Sequence, residues 1–164
     1  MFFNVKNFAR VFAIVVLVIG ATMPVAHADD DEDQGQQPTV SNAKWVAECG
    51  ACHVAYPPRF LPAESWRAIM SGLDKHFGSN AGLDAASANE ITAFLEKNAS
   101  TKKHDTSGKP LLRITETRSF KSEHREVAAR VWKNPKVKSP ANCAACHIKA
   151  ESGDFNEDDV KIPK

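Results

Sequence analysis

The residues best suited to chemistry stand in two five-residue stretches, Cys49-Gly50-Ala51-Cys52-His53 and Cys143-Ala144-Ala145-Cys146-His147. Each has the spacing C-x-x-C-H, which sets two thiols about one helical turn apart with a histidine directly after them. Thiols so placed can add across the two vinyl groups of one porphyrin, and the histidine is then held beneath the iron as its proximal ligand. The chain has four cysteines, and all four fall in these motifs. The pattern predicts two covalently bound haem c groups, attached through Cys49, Cys52, Cys143 and Cys146, with His53 and His147 on the irons.

Three plainer uses of the same residues are weaker. A four-cysteine zinc site would leave His53 and His147 without a role, and about ninety residues separate the two pairs, a long gap for a compact zinc module. A thioredoxin-like redox pair needs a βαβ setting, and no strand-rich stretch precedes either motif. A disulfide within C-x-x-C closes a very short loop and hardly restricts the unfolded chain.

A six-coordinate haem takes a second axial ligand, normally His or Met. In the mature chain the candidates are His76, His104, His124 and Met70. His76 follows His53 by twenty-three residues, beside Gly78, where a turn could bring it over the first iron. His124 precedes His147 by the same interval, on the apolar side of an expected helix. A lone histidine on such a face usually belongs to a core, but here each iron needs a partner. His76 is therefore expected on the first iron and His124 on the second. Met70 is the rival for the first, although its spacing with Trp66 and Leu73 suits core packing. His104 lies in a lysine-containing polar stretch and is expected in solvent.

Short helices must position these groups, and an all-α fold is expected. A helix over 41–53 carries the first motif, with Trp45, Val46 and Cys49 near one face. Pro57 and Pro58 stop it and force an extended path. A second helix over 63–73 has the apolar stripe Trp66, Ile69, Met70 and Leu73. A third, over 84–98, starts at Asp84 or at a capping box of Ser87 and Glu90, and should cross the first. Residues 101–110 read as a linker, and Leu111 to Thr117 is ambiguous, with a short extended segment one reading. A helix from Ser119 or Ser122 to Trp132 aligns Phe120, His124, Val127 and Val131. Pro140 opens a last helix that bears the second motif.

The N-terminus looks like a targeting segment. Lys6 and Arg10 precede an apolar run of eleven residues from Val11 to Ala21, and Ala26-His27-Ala28 fits a cleavage site after Ala28. The run is short for a membrane span, so an uncleaved anchor is the lesser reading. Residues 1–28 are thus expected to be a signal peptide directing export to a bacterial periplasm. Residues 29–40 are expected to be an acidic, disordered tail, with the first haem domain at 41–100 and the second at 111–164. The mature chain of 136 residues has 19 Lys plus Arg against 20 Asp plus Glu. That balance points away from nucleic acid, and no membrane span is expected after cleavage. Lys133, Lys136 and Lys138 form either a basic rim for an acidic partner or a solvated loop, the more usual outcome.

In combination, several stretches resemble the small periplasmic dihaem cytochrome c family. They are Glu48 to His53 with Tyr56-Pro57-Pro58; Leu61-Pro62-Ala63 and Ser65-Trp66; Met70, Leu73 and His76-Phe77-Gly78; Glu123-His124-Arg125; Ala141 to His147; and Gly153-Asp154-Phe155. The resemblance covers nearly all of the mature chain. It implies two bis-histidine haems, a first domain similar to class I cytochrome c and a compact second haem domain. It also implies electron delivery to an oxygen-binding monohaem cytochrome c, with a membrane cytochrome b as a further redox partner. The expected function is that of a monomeric electron carrier, not an enzyme. The alternative is a small dihaem peroxidase or sulfur-compound oxidoreductase with one open haem site.

Overall fold

The computed structural model describes residues 40–102 and 108–164. The expected signal peptide and cleavage site, nearly all of the acidic tail, the middle of the linker and His104 lie outside the described residues. Those described are helical, with isolated bridges and no extended strands. No helix among them is long and apolar enough to cross a membrane.

Residues 43–102 have a conventional core. Helix α1 (Ala43–Cys49) is capped by Asn42, whose side-chain oxygen accepts from the Trp45 amide at 2.8 Å. Gly50 ends it, and a Cβ there would strike the Val46 carbonyl oxygen. The helix therefore stops four residues earlier than expected, leaving Cys52 and His53 on a turn. Helix α2 (Ala63–Met70) follows Pro62 and gives way to a 3₁₀ turn, Leu73–Lys75, in place of its last expected turn. Helix α3 (Ala85–Lys97) starts where Asp84 caps it, accepting from the Ala86 and Ser87 amides. The capping box does not form, because Ser87 is itself one of the capped residues and is buried.

Helix α3 packs on α2 and α1. Leu61, Ile91 and Leu95 are fully buried between Trp45 and Trp66, each contributing about 2 kcal/mol of apolar burial. Trp66 Nε1–H donates to the buried Pro58 carbonyl at 2.7 Å, which fixes the chain after the two prolines. Glu90 pairs with Lys44, and Glu96 with Arg67.

Residues 108–164 are built differently. The expected helix over 119–132 is two pieces, α4 (Arg118–Glu123) and α5 (Ala129–Trp132), divided after His124. Thr117, 2% exposed, caps α4 rather than Ser122: its hydroxyl oxygen accepts from the Phe120 amide and donates to the Ile114 carbonyl. The stretch before it ends in a 3₁₀ turn, Ile114–Glu116. No helix starts at Pro140. The second motif occupies only a 3₁₀ turn, Cys143–Ala145, and the C-terminal tail pairs back onto it, with the Lys161 amide donating to the Cys146 carbonyl at 2.8 Å.

Candidate haem centres

His53 lies on the turn after α1 and is exposed, its Nδ1 2.7 Å from the Val54 carbonyl oxygen. His76 ends the 3₁₀ turn after α2 and enters a tight reversal in which the Ser79 amide donates to the His76 carbonyl. Phe77 sits there at φ 48° and Gly78 at φ 100°. The left-handed phenylalanine costs about 1–2 kcal/mol. Its ring is held between His76, at 4.8 Å, and the Arg113 guanidinium, at 4.3 Å. The strained turn thus aims His76 back toward His53, and the two imidazole centroids are 6.3 Å apart with planes 25° from parallel.

The second pair comes from α4 and the second motif. His124 is the C-terminal cap of α4 and lies 2.9 Å through Nδ1 from the Phe120 carbonyl oxygen. With Nδ1 as donor, Nε2 is the free, lone-pair-bearing nitrogen. Phe120 stacks on His124 at 4.1 Å, and Trp132 lies 5.9 Å from the same ring and 6.2 Å from Phe120. The centroids of His124 and His147 are 6.0 Å apart, with planes at 65°.

These spacings can be tested against an iron. An imidazole nitrogen binds a first-row metal ion at about 2 Å, and the ring centre lies roughly 1 Å beyond. Two imidazoles on opposite sides of one iron would then have centroids roughly 6 Å apart. Both pairs fit, and neither is close enough for a direct hydrogen bond to explain its approach. Burial lowers the His76 and His147 pKa values, with the partner histidine adding to the effect in each case. Both rings are therefore biased to the neutral form a metal needs. A cavity of about 360 Å³ beside His124 is lined by Thr115, Phe120, Lys121, Trp132 and Pro140, an apolar wall with one cation at its edge.

No disulfide joins the cysteines of either motif. Burial pushes Cys49 and Cys143 up to about 11 and raises Cys146 as well. A thioredoxin-like pair needs the opposite shift, toward a reactive thiolate. Among the described residues no three His, Cys, Asp or Glu side chains converge on a metal position, so the four-cysteine zinc alternative finds no geometry. Met70 packs against the core cluster as its stripe suggested.

Two contributions were missed in the sequence. Tyr56 stacks on His53 at 4.5 Å and donates its hydroxyl hydrogen to the Ala141 carbonyl at 2.6 Å, just before the second motif. Phe155, from the tail, lies 5.4 Å from the His147 ring and 4.9 Å from Phe60. Aromatic side chains follow each motif by three and eight residues, but nothing in their spacing says what they touch.

A family model described as Dihaem cytochrome c matches residues 45–155. Among solved structures, a dihaem cytochrome c from Rhodobacter sphaeroides is 41% identical, with 73% of this chain and 100% of that chain covered and a TM-score of 0.64. A dihaem cytochrome type c from Shewanella baltica OS155 is 42% identical, covering 77% and 95%, with a TM-score of 0.65. No curated protein is matched.

Proposed function

Since the chain belongs to the dihaem cytochrome c family and so carries two covalently bound haem c groups, we propose that it is a periplasmic electron carrier with bis-histidine ligation at both irons. The observation that carries this reading is the pair of opposed imidazoles, 6.3 Å apart at the first motif and 6.0 Å at the second. When bound, the haems supply one-electron Fe(III)/Fe(II) chemistry.

The chain's own residues do the rest. Cys49, Cys52, Cys143 and Cys146 would hold the porphyrins, and His53 with His76, and His147 with His124, would ligate the two irons. Two histidines on each iron would leave no place for substrate, which favours a carrier over the peroxidase alternative. Phe120 and Trp132 hold His124 in one orientation, and the Phe77 turn does the same for His76. Tyr56 joins the ring beside the first iron directly to the backbone beside the second motif, so a hydrogen bond links the two centres in the segments 41–100 and 111–164. The partner is a redox protein met in a small, transient interface. An oxygen-binding monohaem cytochrome c as acceptor and a membrane cytochrome b as donor suit that role. Residues 1–28 as a cleaved signal peptide would deliver the chain to the compartment where such haem is attached.

The test is carbon monoxide on the reduced holoprotein. An unchanged spectrum, with two covalent haems by mass, is the expected result. Rapid binding at either iron would make that haem an open site and turn the reading toward catalysis.

A further inference from the structure

Arg59 stands out in the region where the two motifs meet. It follows the first motif, yet its Nη2 donates to the Gly153 carbonyl beyond the second, at a long 3.4 Å. Its Nε is buried and has no partner. The guanidinium lies 5.1 Å from the Phe60 ring, which packs on Phe155 and through it on His147. The Asp154 carboxylate acts on its charge without forming an ion pair with it, and Asp154 Oδ1 accepts from the Asn156 amide instead. Burial works against the charged guanidinium, and a cation withdrawn from water requires a counter-ion with matching acceptors.

We propose that Arg59 is the counter-cation of a haem propionate, binding it through Nε and the adjacent guanidinium nitrogen. Each haem brings two carboxylates, and a guanidinium fork matches one of them in shape and charge. The site lies between the two haem-bearing segments, so the propionate can come from either haem. Arg59 would then act on the reaction as well as the fold: a fixed cation near a haem favours the less positive, reduced iron. The inference rests on the two-haem reading above.

Redox titration of the holoprotein followed by electron paramagnetic resonance tests it. The near-parallel imidazoles of the first pair and the near-perpendicular ones of the second give separable ferric signals, so each haem reports for itself. Arg59→Gln should move at least one haem about tenfold toward Fe(III), which is about 59 mV for a one-electron couple. The haem that moves owns the propionate. Arg59→Lys should retain most of the wild-type potential while shifting the propionate-bending band in resonance Raman spectra, because the charge stays and the fork is lost. Unchanged potentials in Arg59→Gln with both haems bound would overturn the proposal. Should Arg59→Gln yield no holoprotein, an unchanged propionate band in Arg59→Lys would overturn it equally. A methionine-to-iron band at either haem would sink the bis-histidine assignment and leave the Arg59 result standing.

Discussion

Thr117 offers a sharp test of how the chain holds its second iron. Its hydroxyl makes two hydrogen bonds, accepting from the Phe120 amide at 3.1 Å and donating to the Ile114 carbonyl at 2.7 Å, in a site that is 2% exposed. The first is the N-cap of the six-residue helix α4, whose far end bears His124. Losing a threonine cap costs about 1 kcal/mol, and the second bond adds roughly another 1 kcal/mol. Thr117→Ala should therefore ease local opening of α4 by about 2 kcal/mol, which is roughly a 30-fold rise in the population with His124 off the iron. Carbon monoxide traps that population. With opening and closing fast relative to trapping, the slow binding rate at the second haem should rise about 30-fold, while the first haem is unaffected. Thr117→Ser keeps both bonds and loses one methyl group, so its rate should rise no more than about fourfold. An equal acceleration at both haems, or none in Thr117→Ala, would refute the view that this cap governs His124.

Removing a distal ligand outright should act on one centre only: His76→Ala opens the first iron to carbon monoxide and His124→Ala the second, whereas Met70→Leu leaves both spectra unchanged. Optical titration of each variant decides this. The Asp84 carboxylate is held below its usual range, chiefly by hydrogen bonding from Ser87. A lowered folded-state pKa contributes stability that is present above the unfolded value of about 3.8 and lost as pH falls through the folded value. Asn caps nearly as well as Asp, so Asp84→Asn should match wild type in melting temperature at pH 7 and fall less steeply below pH 4. Replacing Cys143 and Cys146 by serine should remove the second haem and leave amides in 111–164 exchanging rapidly, with those of α3 still protected. Hydrogen exchange read by mass spectrometry would reveal the opposite pattern if the second half folds unaided.

How much of this was legible beforehand depended on whether the signal was local. Helix α3 was, because Asp84 caps it and Ile91 and Leu95 repeat at helical spacing. That the chain carries two covalent haems was legible from attachment chemistry alone. The break after His124 was not. On a continuous helix Trp132 would stand eight residues on, about 12 Å along the axis. In the fold its ring is 5.9 Å from His124, a contact that only a reversal can make. Ring packing between non-adjacent turns outweighed the 3.6-residue pattern. The missing helix at Pro140 has a similar cause. Ser139 Oγ accepts from the Ala141 amide, Asn142 donates to the Val137 carbonyl, and Lys138 is left-handed at φ 63°. Local side-chain bonds of this kind compete with helix formation, and the Cys146 carbonyl is taken by the returning tail. The interval from His53 pointed to His76, whose ring the fold brings to 6.3 Å from that of His53, but the Phe77 strain that aims it had no counterpart in the sequence pattern.

The two halves solve one problem by different means, and the difference bears on why the haem is covalent. The first half buries Trp45, Leu61, Trp66, Ile91 and Leu95 together, whereas the buried apolar residues of the second are Val137 and Ala150. Helices of six and four residues are far below the length that is stable alone in water, and two small buried side chains cannot hold them. The second half must therefore draw its apolar core from the porphyrin, with Phe120, Trp132 and Phe155 packed around the histidines that would grip its iron. A dissociable haem would make that half's stability depend on free haem concentration by mass action. Thioether bonds at the proposed attachment residues Cys143 and Cys146 would remove that dependence, so the linkage that fixes the redox centre would also be what lets so short a segment stay folded.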